Sequence, residues 1–250
     1  MPEAFGLALA QDGLIWLVFA AGGAGLIYGF AGFGAALFFM PVALLFVPPL
    51  TAVAAFQITA LASLVVVVPQ AWGQADKPAA ARMLIAAVLA APAGIWLLRH
   101  GEALWLRWAV SIVVLGTLAA LIAGWRTVGK ATPRREAGVG AGVGFLGGSV
   151  GLNGPVLILF QLASDAPAAQ TRANTLVVLT LSSLAILPLM ALQGALTGPA
   201  LALGALLFGP YLLGAWGGRR LFTLARAPSY RRVAYVIIGL AGLMGLPIWN

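Results

Sequence analysis

The sequence predicts an all-α polytopic membrane protein made of two inverted repeats, each a broken, V-shaped helix pair followed by three transmembrane helices. Of its 250 residues, 62% are hydrophobic and 8% are charged, whereas about 25% of the residues in a soluble domain are charged. The mean hydropathy is +1.03, and apolar runs near the roughly 20 residues that a helix needs to cross a bilayer recur along the chain. A Gly-rich stretch that occurs twice indicates that the chain is a duplication.

The two Gly-rich stretches, residues 29–41 and 144–155, each open on Gly-Phe and each end in proline. Glycine inside a helix costs about 1 kcal/mol and interior proline about 3, so we expect both stretches to break a helix at membrane depth. Broken backbone is tolerated there only where it is buried in protein or lines a wet cavity, so matching breaks indicate a shared internal site. Close helix packing is the alternative for most of the glycines. The predicted break residues are Gly29, Gly32, Gly34 and Pro41 in the first stretch and Gly144, Gly147, Gly148 and Pro155 in the second.

The first half is predicted to begin with a short acidic head and a V. Residues 1–12 contain Glu3 and Asp12 but no basic residue. The apolar segment from Leu14 to Val47 is too long for one untilted crossing and is interrupted by glycines, so we interpret it as two helices that meet in a V. Three further apolar segments cover residues 51–70, 79–98 and 104–125.

The second half repeats this order. Its apolar segments cover residues 137–163, 172–192 and 199–217 and a last run that ends near Trp249. We therefore expect a first membrane repeat over residues 1–125, a basic cytoplasmic linker over 126–136 and a second membrane repeat over 137–250. Prolines recur in step between the halves, as Pro41, Pro49, Pro69 and Pro92 in the first and Pro155, Pro167, Pro188 and Pro210 in the second.

The charges of the loops predict that the halves are inverted. The head is acidic and the linker is basic, so the first half is expected to start outside and end inside, which requires an odd number of crossings. If each Gly-rich segment enters and returns on one side, the linker and the basic loop at 219–232 both lie inside, and only the turn from Arg99 to Arg107 is misplaced. Eight plain crossings, the alternative, would put the linker and that loop on opposite sides.

The residue counts exclude several classes of site. The chain has no cysteine and one histidine, which excludes disulfides, thiol nucleophiles and His-rich or Cys-based metal sites. The Gly-rich runs are not nucleotide-binding loops, because no Gly-Lys-Ser or Gly-Lys-Thr follows them. The net charge of +8 arises in short loops, which indicates orientation in a membrane rather than binding of nucleic acid. We expect no metal, no cofactor and no enzymatic activity.

Arg172 is the charged residue best suited to bind a substrate. It lies at the start of the sixth apolar segment, and an arginine at membrane depth faces protein or water. Its planar guanidinium offers paired donors to the oxygens of an anion. The alternatives are an arginine that snorkels to the cytoplasmic interface and an ion pair with Asp165.

Six further polar residues are candidates for substrate contact. Asn153 and Ser149 lie in the second Gly-rich stretch, where half-helix N-termini offer N–H donors and a positive dipole end to an anion. The first stretch has no such side chains, so we expect an asymmetric site weighted to the second half. The other candidates are Asn174 and Thr175 beside Arg172, Gln57 at the matching place in the first half, and Gln161, which faces either the cavity or the sixth segment. Hydrogen bonding between helices is the alternative for Asn174, Thr175 and Gln57.

The chain resembles the sulfite exporter TauE/SafE family of membrane permeases along its whole length. The resemblance rests on the two Gly-rich breaks, each followed by proline, and on a proline six residues before an alanine at the entry of the next span, at Pro49 to Ala55 and Pro167 to Ala173. It implies export of sulfite, sulfoacetate or a related small sulfur-containing anion across the bacterial inner membrane. The eight predicted break residues are those that match the hallmark positions of the family.

Together these features favour a secondary transporter that exports a small anion, sulfite or an organosulfonate, by alternating access around a site between the halves. The expected location is the bacterial inner membrane, with multiple spans. The expected partners are the anionic substrate and the lipid bilayer, with a homodimer left open and no nucleic acid. A passive anion channel is the first alternative, and a membrane-embedded enzyme is a weaker one because no pair of catalytic groups occupies matching depths.

Overall fold

The computed structural model describes residues 2–124, 132–161, 166–224 and 229–248. Within these ranges the protein is helical without strands, and six stretches are long and apolar enough to cross a membrane. The predicted class, an all-α polytopic membrane protein, is therefore confirmed. The described helices are α1 (Pro2–Leu9), α2 (Leu14–Ala31), α3 (Ala35–Ala43), α4 (Pro49–Ala60), α5 (Ser63–Val66), α6 (Val68–Ala71), α7 (Lys77–His100), α8 (Ala103–Ile122), α9 (Pro133–Val150), α10 (Gly154–Gln161), α11 (Ala168–Leu192), α12 (Gly198–Leu224) and α13 (Ser229–Met244).

Apolar side chains cover the outside of the helix assembly as well as its interior. Leu192, Leu89 and Trp105 expose 83%, 77% and 70% of their surface. Soluble monomers rarely expose contiguous apolar surface on this scale, so the periphery suits contact with lipid chains. The most buried span is Pro49–Val66, of which 67% is buried, so the centre of the assembly lies beside α4.

The first break separates α2 from the short helix α3. Gly32, the C-cap of α2, has φ 82° and donates its N–H to the carbonyl of Tyr28, while Gly34, the N-cap of α3, has φ 92°. Glycine adopts this left-handed region without the steric cost that a Cβ imposes. Gly29 and Pro41, which were also predicted as break residues, lie inside α2 and in the last turn of α3. Pro41 leaves the carbonyl of Leu37 without its helical N–H partner, and α3 ends two residues later.

The second break begins at Gly151 and therefore lies later than predicted. Gly151 is the C-cap of α9 with φ 73°, and α10 starts at Gly154. Pro155, as the second residue of α10, lacks an N–H that would have had no helical partner in any case. The prediction that the helix breaks at Gly144, Gly147 and Gly148 is wrong, because all three lie inside α9.

The glycines inside α9 allow close contact with α7. A Cβ at Gly144 would collide with the carbonyl of Ala87, and one at Gly148 would lie 2.8 Å from the carbonyl oxygen of Ala91. Because only a hydrogen side chain permits this approach, the helix contact offsets the cost of about 1 kcal/mol that glycine carries in a helix. These glycines serve packing, which was the alternative considered from the sequence.

The helix α2 makes an equivalent contact with α12. A Cβ at Gly29 would collide with the backbone of Ala215, and a Cβ at Gly214 of α12 would collide with the carbonyl of Gly22. Each helix that precedes a break is thus packed, backbone to backbone, on a helix from the other half of the chain. We call these contacts the α2–α12 pair and the α7–α9 pair.

The first V returns to the side on which it begins. The side chain of Gln11, before α2, donates to the carbonyl of Phe46, after α3, at 3.0 Å. The helices α2, α4 and α12 run in the same direction: Thr59 of α4 donates to the carbonyl of Gly204, and Ser63, one turn later, donates to the hydroxyl of Tyr211. Since α2 and α4 are parallel, α3 must run back between them.

The helices α7, α9 and α11 also run together, in the opposite direction to the first three. The backbone N–H of Asp76, just before α7, donates to Oδ1 of Asn174 near the start of α11, and Gln193, just past the end of α11, donates to the carbonyl of Pro92. Arg172 at the start of α11 contacts the end of α2. The second set of three helices is therefore antiparallel to the first.

Part of the predicted linker between the halves is helical. The helix α9 begins at Pro133, with the Thr132 side chain accepting from the N–H of Arg135. Glu136, in the first turn of α9, is buried and pairs with Arg82 of α7. Residues 125–131 of the linker region, Asp165, residues 225–228 of the basic loop and Trp249 at the end of the last segment lie outside the described residues.

Candidate functional site

The N-termini of the two short helices face one small cavity. Residues 34–37 at the start of α3 line it on one side and residues 153–155 at the start of α10 line it on the other. Both breaks therefore contribute to a single central site. The cavity volume is about 20 Å³, which is room for about one water molecule.

The first turn of α3 presents free backbone donors to this cavity. Gly34 provides no side-chain cap, and the first hydrogen bond into the helix runs from the N–H of Phe38 to the carbonyl of Gly34. The N–H groups of residues 35–37 consequently have no intrahelical acceptor. A helix N-terminus with free N–H groups and its positive dipole end is suited to bind an anion.

Six polar side chains complete the lining. Tyr28 donates to the carbonyl of Leu176 at 3.2 Å and shares a hydrogen bond of 2.9 Å with Oγ1 of Thr180. These bonds join the end of α2 to α11 beside the cavity. The six polar residues of the lining are Tyr28, Ser63, Asn153, Thr180, Ser183 and Tyr211.

Asn153 connects the second break to α11. Its Nδ2 atom donates to the carbonyl of Leu179 at 3.3 Å and lies 3.3 Å from Oγ of Ser182 and 3.2 Å from Oγ of Ser183. Because this amide nitrogen is already surrounded by acceptors on α11, Asn153 holds the start of α10 in place at the cavity.

Two buried hydroxyl groups of the lining have donor protons without a partner. Ser183 accepts from Asn153 and Tyr211 accepts from Ser63, and no acceptor for either hydroxyl proton lies among the described residues. Both residues are 1% exposed. A buried donor without an acceptor is costly, so these hydroxyls need a ligand or a water molecule in the cavity.

Arg172 lies outside the lining of the cavity. Its Nη2 atom donates to the carbonyl of Gly29 at 2.6 Å and its Nε to that of Phe30 at 3.4 Å. The guanidinium carbon also lies 4.1 Å from the ring centroid of Phe222. The side chain thus caps the C-terminal end of α2, where a cation is favourable. Asp165, its other predicted partner, is outside the described residues.

Gln57 of the first half caps the end of α9, as Arg172 of the second half caps the end of α2. It is fully buried on α4, and its Nε2 atom donates to the carbonyl of Gly147 in the last turn of α9 at 3.0 Å. Its Oε1 atom has no partner among the described residues. The two helices that precede the breaks are therefore each capped by a side chain from the opposite half, one charged and one neutral.

The remaining predicted residues make bonds within and between helices. Asn174 accepts the N–H of Asp76 at 2.7 Å, and Ser149 donates to Phe145 of its own helix. These contacts match the alternative of hydrogen bonding between helices for Asn174. Thr175 likewise donates to Thr171 within α11, and Gln161 is the buried last residue of α10. Of the seven predicted contact residues, the cavity lining includes Asn153 alone.

The hydroxyl residues that line the cavity were not among the residues predicted from the sequence. Tyr28, Thr180 and Tyr211 each interrupt a long apolar segment, and polar side chains in such segments face protein or water rather than lipid. That signal was available for Tyr28 and Tyr211 in particular, because both lie far from the segment ends. No cluster of three or more His, Cys, Asp or Glu side chains that could hold a metal ion occurs in the described part of the chain.

Comparison with known proteins shows the family of the chain. A family model described as "Sulfite exporter TauE/SafE" matches residues 17–245. No curated protein and no solved structure matches the chain. The matched range contains both breaks, all the helices from α3 to α13 and every residue of the cavity lining.

Proposed function

Because this chain belongs to the sulfite exporter TauE/SafE family, we propose that it is a secondary transporter that exports a small anion, sulfite or an organosulfonate, across the bacterial inner membrane. The observation that carries this proposal is the convergence of the α3 and α10 N-termini on one buried cavity. Half-helix N-termini at mid-membrane are the usual means by which broken-helix transporters hold an anionic group.

The cavity, rather than Arg172, is the proposed binding site. Free N–H groups of α3 and the unpaired hydroxyl protons of Ser183 and Tyr211 are donors, and sulfite and sulfonate oxygens are acceptors. Arg172 acts indirectly in this proposal. By binding the carbonyls of Gly29 and Phe30, it offsets the negative dipole end of α2, which would otherwise oppose an anion at the neighbouring N-terminus of α3.

The size of the cavity supports a carrier rather than an open pore. A volume of about 20 Å³ fits about one water molecule, whereas sulfite has four heavy atoms. The cavity must therefore widen to take the substrate. This agrees with alternating access, in which a closed state separates the states open to each side.

The proposed moving parts are two groups of helices that each contain elements of both halves. The direction of the contacts supports two inverted halves, because α2, α4 and α12 run opposite to α7, α9 and α11. The α2–α12 pair and the α7–α9 pair are too closely packed to slide apart. The group of helices around the α2–α12 pair would rock against the group around the α7–α9 pair. This motion would open the cavity between the two groups to one side of the membrane and then to the other.

Export of an anion is favoured by a membrane potential that is negative inside, by about 2.3 kcal/mol per charge per 100 mV. A coupled ion is therefore not required in principle. Transport assays with purified protein in liposomes test the proposal. We expect sulfite uptake that saturates with concentration and shows counterflow, while a passive channel would carry current without counterflow. Absence of sulfite, sulfoacetate and alkylsulfonate transport by folded protein would overturn the proposed function.

A further inference from the structure

The cavity offers an anion only neutral hydrogen-bond donors. Every residue that lines it is uncharged, and its polar side chains are hydroxyls and one carboxamide. Arg172 is not part of the lining and is bound to the carbonyls at the end of α2. The positive potential at the cavity therefore comes from helix ends and hydroxyl protons.

The charge that these helix ends provide is close to one unit. A helix N-terminus is equivalent to about half of an elementary charge, and two N-termini, those of α3 and α10, meet at the cavity. The C-terminal ends of α2 and α9 at the same breaks oppose them, and the charge of Arg172 on the α2 end restores a sum of about one positive charge. A second negative charge on the ligand would be buried without compensation, which is strongly unfavourable in a low-dielectric site.

The unpaired hydroxyl protons are a second, independent feature of this cavity that suits a ligand with acceptor atoms. Ser183 and Tyr211 lie on different helices, α11 and α12, and are each 1% exposed. Both hydroxyl oxygens already accept a hydrogen bond, so each hydroxyl group still has its proton to donate. A ligand rich in acceptor oxygens satisfies both groups, together with the N–H groups of α3.

On the basis of the proposed function, we propose that this site takes its substrate as a monoanion, so that sulfite crosses the membrane in its protonated form, bisulfite. The proton is taken up by sulfite in the water on one side and released to water on the other. Each turnover thus moves one negative charge, and the substrate itself carries the proton. No carboxylate or imidazole lines the cavity, so the protein needs no titrating group of its own for this coupling. Alkylsulfonates, which are monoanions at all relevant pH values, are accepted without a proton, and the dianions sulfate and sulfoacetate are rejected.

The test compares sulfite with methanesulfonate in proteoliposomes over a range of external pH, with protein-free liposomes subtracted. At a fixed subsaturating total concentration, sulfite uptake should fall about tenfold per pH unit on the alkaline side of its own second ionisation, because the bisulfite fraction falls by that factor. Methanesulfonate uptake should not change. A pH indicator trapped inside should report acidification during sulfite uptake at alkaline pH and none with methanesulfonate.

The outcomes separate this inference from the proposed function. Sulfite uptake that is constant or rises with pH, without internal acidification, would mean that the dianion is carried, and so would transport of sulfate. Either result overturns the monoanion site and leaves the transporter assignment intact. Absence of uptake for sulfite, sulfoacetate and methanesulfonate by folded protein overturns both.

Two substitutions link the effect to this cavity. Tyr211→Phe and Ser183→Ala remove the two unpaired donors, and each should raise the KM for sulfite and methanesulfonate about tenfold while leaving the pH slope unchanged. The matched control is Ser111→Ala, which removes a buried hydroxyl that donates to the carbonyl of Gly245 away from the cavity. Wild-type KM values in both cavity variants would exclude the cavity as the site.

Discussion

Arg172 shows how a charge can act on a binding site without touching the ligand. Its guanidinium is bound to two carbonyls in the last turn of α2 and stacks on Phe222. Gly32 and Gly34 separate that turn from the start of α3. The negative dipole end of α2 and the positive dipole end of α3 therefore lie close together at the break. The guanidinium of Arg172 offsets the negative end, which would repel an anion.

Substitution of Arg172 distinguishes this indirect role from direct binding. If the charge is what matters, Arg172→Lys should keep sulfite affinity within about threefold of wild type, whereas Arg172→Gln should lose about tenfold and about 1 to 3 kcal/mol of stability. Calorimetry with sulfite in detergent, together with a thermal melt, measures both quantities. If Lys damages affinity as much as Gln while the melting temperature stays at the wild-type value, Arg172 contacts the substrate directly.

Asn153 and Asn174 can each be replaced by Asp, which adds a negative charge with almost no change in the shape of the side chain. Asn153→Asp removes an amide donor with three acceptors around it and puts a carboxylate at the cavity, so transport should fall at least about a hundredfold. Asn174→Asp is the control, because within the described part of the chain Asn174 accepts the N–H of Asp76 and a carboxylate accepts it equally well. Similar transport by the two variants in liposomes would contradict the cavity as the anion site.

Individual site residues could be predicted only in part. Asn153, which lines the cavity, was predicted as a contact residue because it lies in the second Gly-rich stretch, where half-helix N-termini were expected. Arg172 was singled out for its charge, and the sequence held no sign that carbonyls of α2 would bind it. Tyr28 and Tyr211 were missed because the segments that carry them are apolar all round, so hydropathy does not reveal which face of the helix meets the cavity.

At the scale of helices, glycine has two uses in this chain that the sequence alone does not separate. Gly32 and Gly151 end helices with positive φ, whereas Gly144 and Gly148 lie against the backbone of α7. Both uses depend on the missing Cβ, and both occur between Gly144 and Gly151. The existence of a break in each half was therefore predictable, while the position of the second break depended on tertiary contacts.

Alanine substitutions should separate the packing glycines from the rest of α9. Gly144→Ala should destabilise the protein by about 1 to 3 kcal/mol, because its methyl group would meet the carbonyl of Ala87 and overpacking costs that much. Gly138→Ala, in the same helix with nothing within 4 Å of the added Cβ, should stabilise it by about 1 kcal/mol. Thermal melts in detergent compare the two. Equal melting temperatures would show that the α7–α9 contact is looser than the structure indicates.

At the scale of the whole molecule, the loop charges and the helix contacts support the same inverted arrangement. The charges require an odd number of crossings in the first half. The bond between Gln11 and Phe46 independently brings the two ends of the first V together. The turn from Arg99 to Arg107 is the part that the charge rule does not explain in this arrangement.

The absence of native cysteine gives this arrangement a direct test. Inverted halves put Gln74, in the exposed loop before α7, inside the cell and Thr197, just before α12, outside it. A Thr197→Cys variant should react with an impermeant thiol reagent added to intact cells, and a Gln74→Cys variant only after the membrane is permeabilised. Reaction of both in intact cells would favour eight plain crossings, which put the two positions on the same side.

The α2–α12 pair and the α7–α9 pair each join two helices from different halves of the chain, and this affects assembly during synthesis. While the first half is leaving the ribosome, the glycine face of α2 has no partner, because α12 has not yet been synthesised. The same holds for α7 until α9 enters the membrane. We therefore expect the nascent first half to stay incompletely packed until the chain is nearly complete. Each half expressed alone should be degraded faster than the two halves expressed together as separate polypeptides in the same cell.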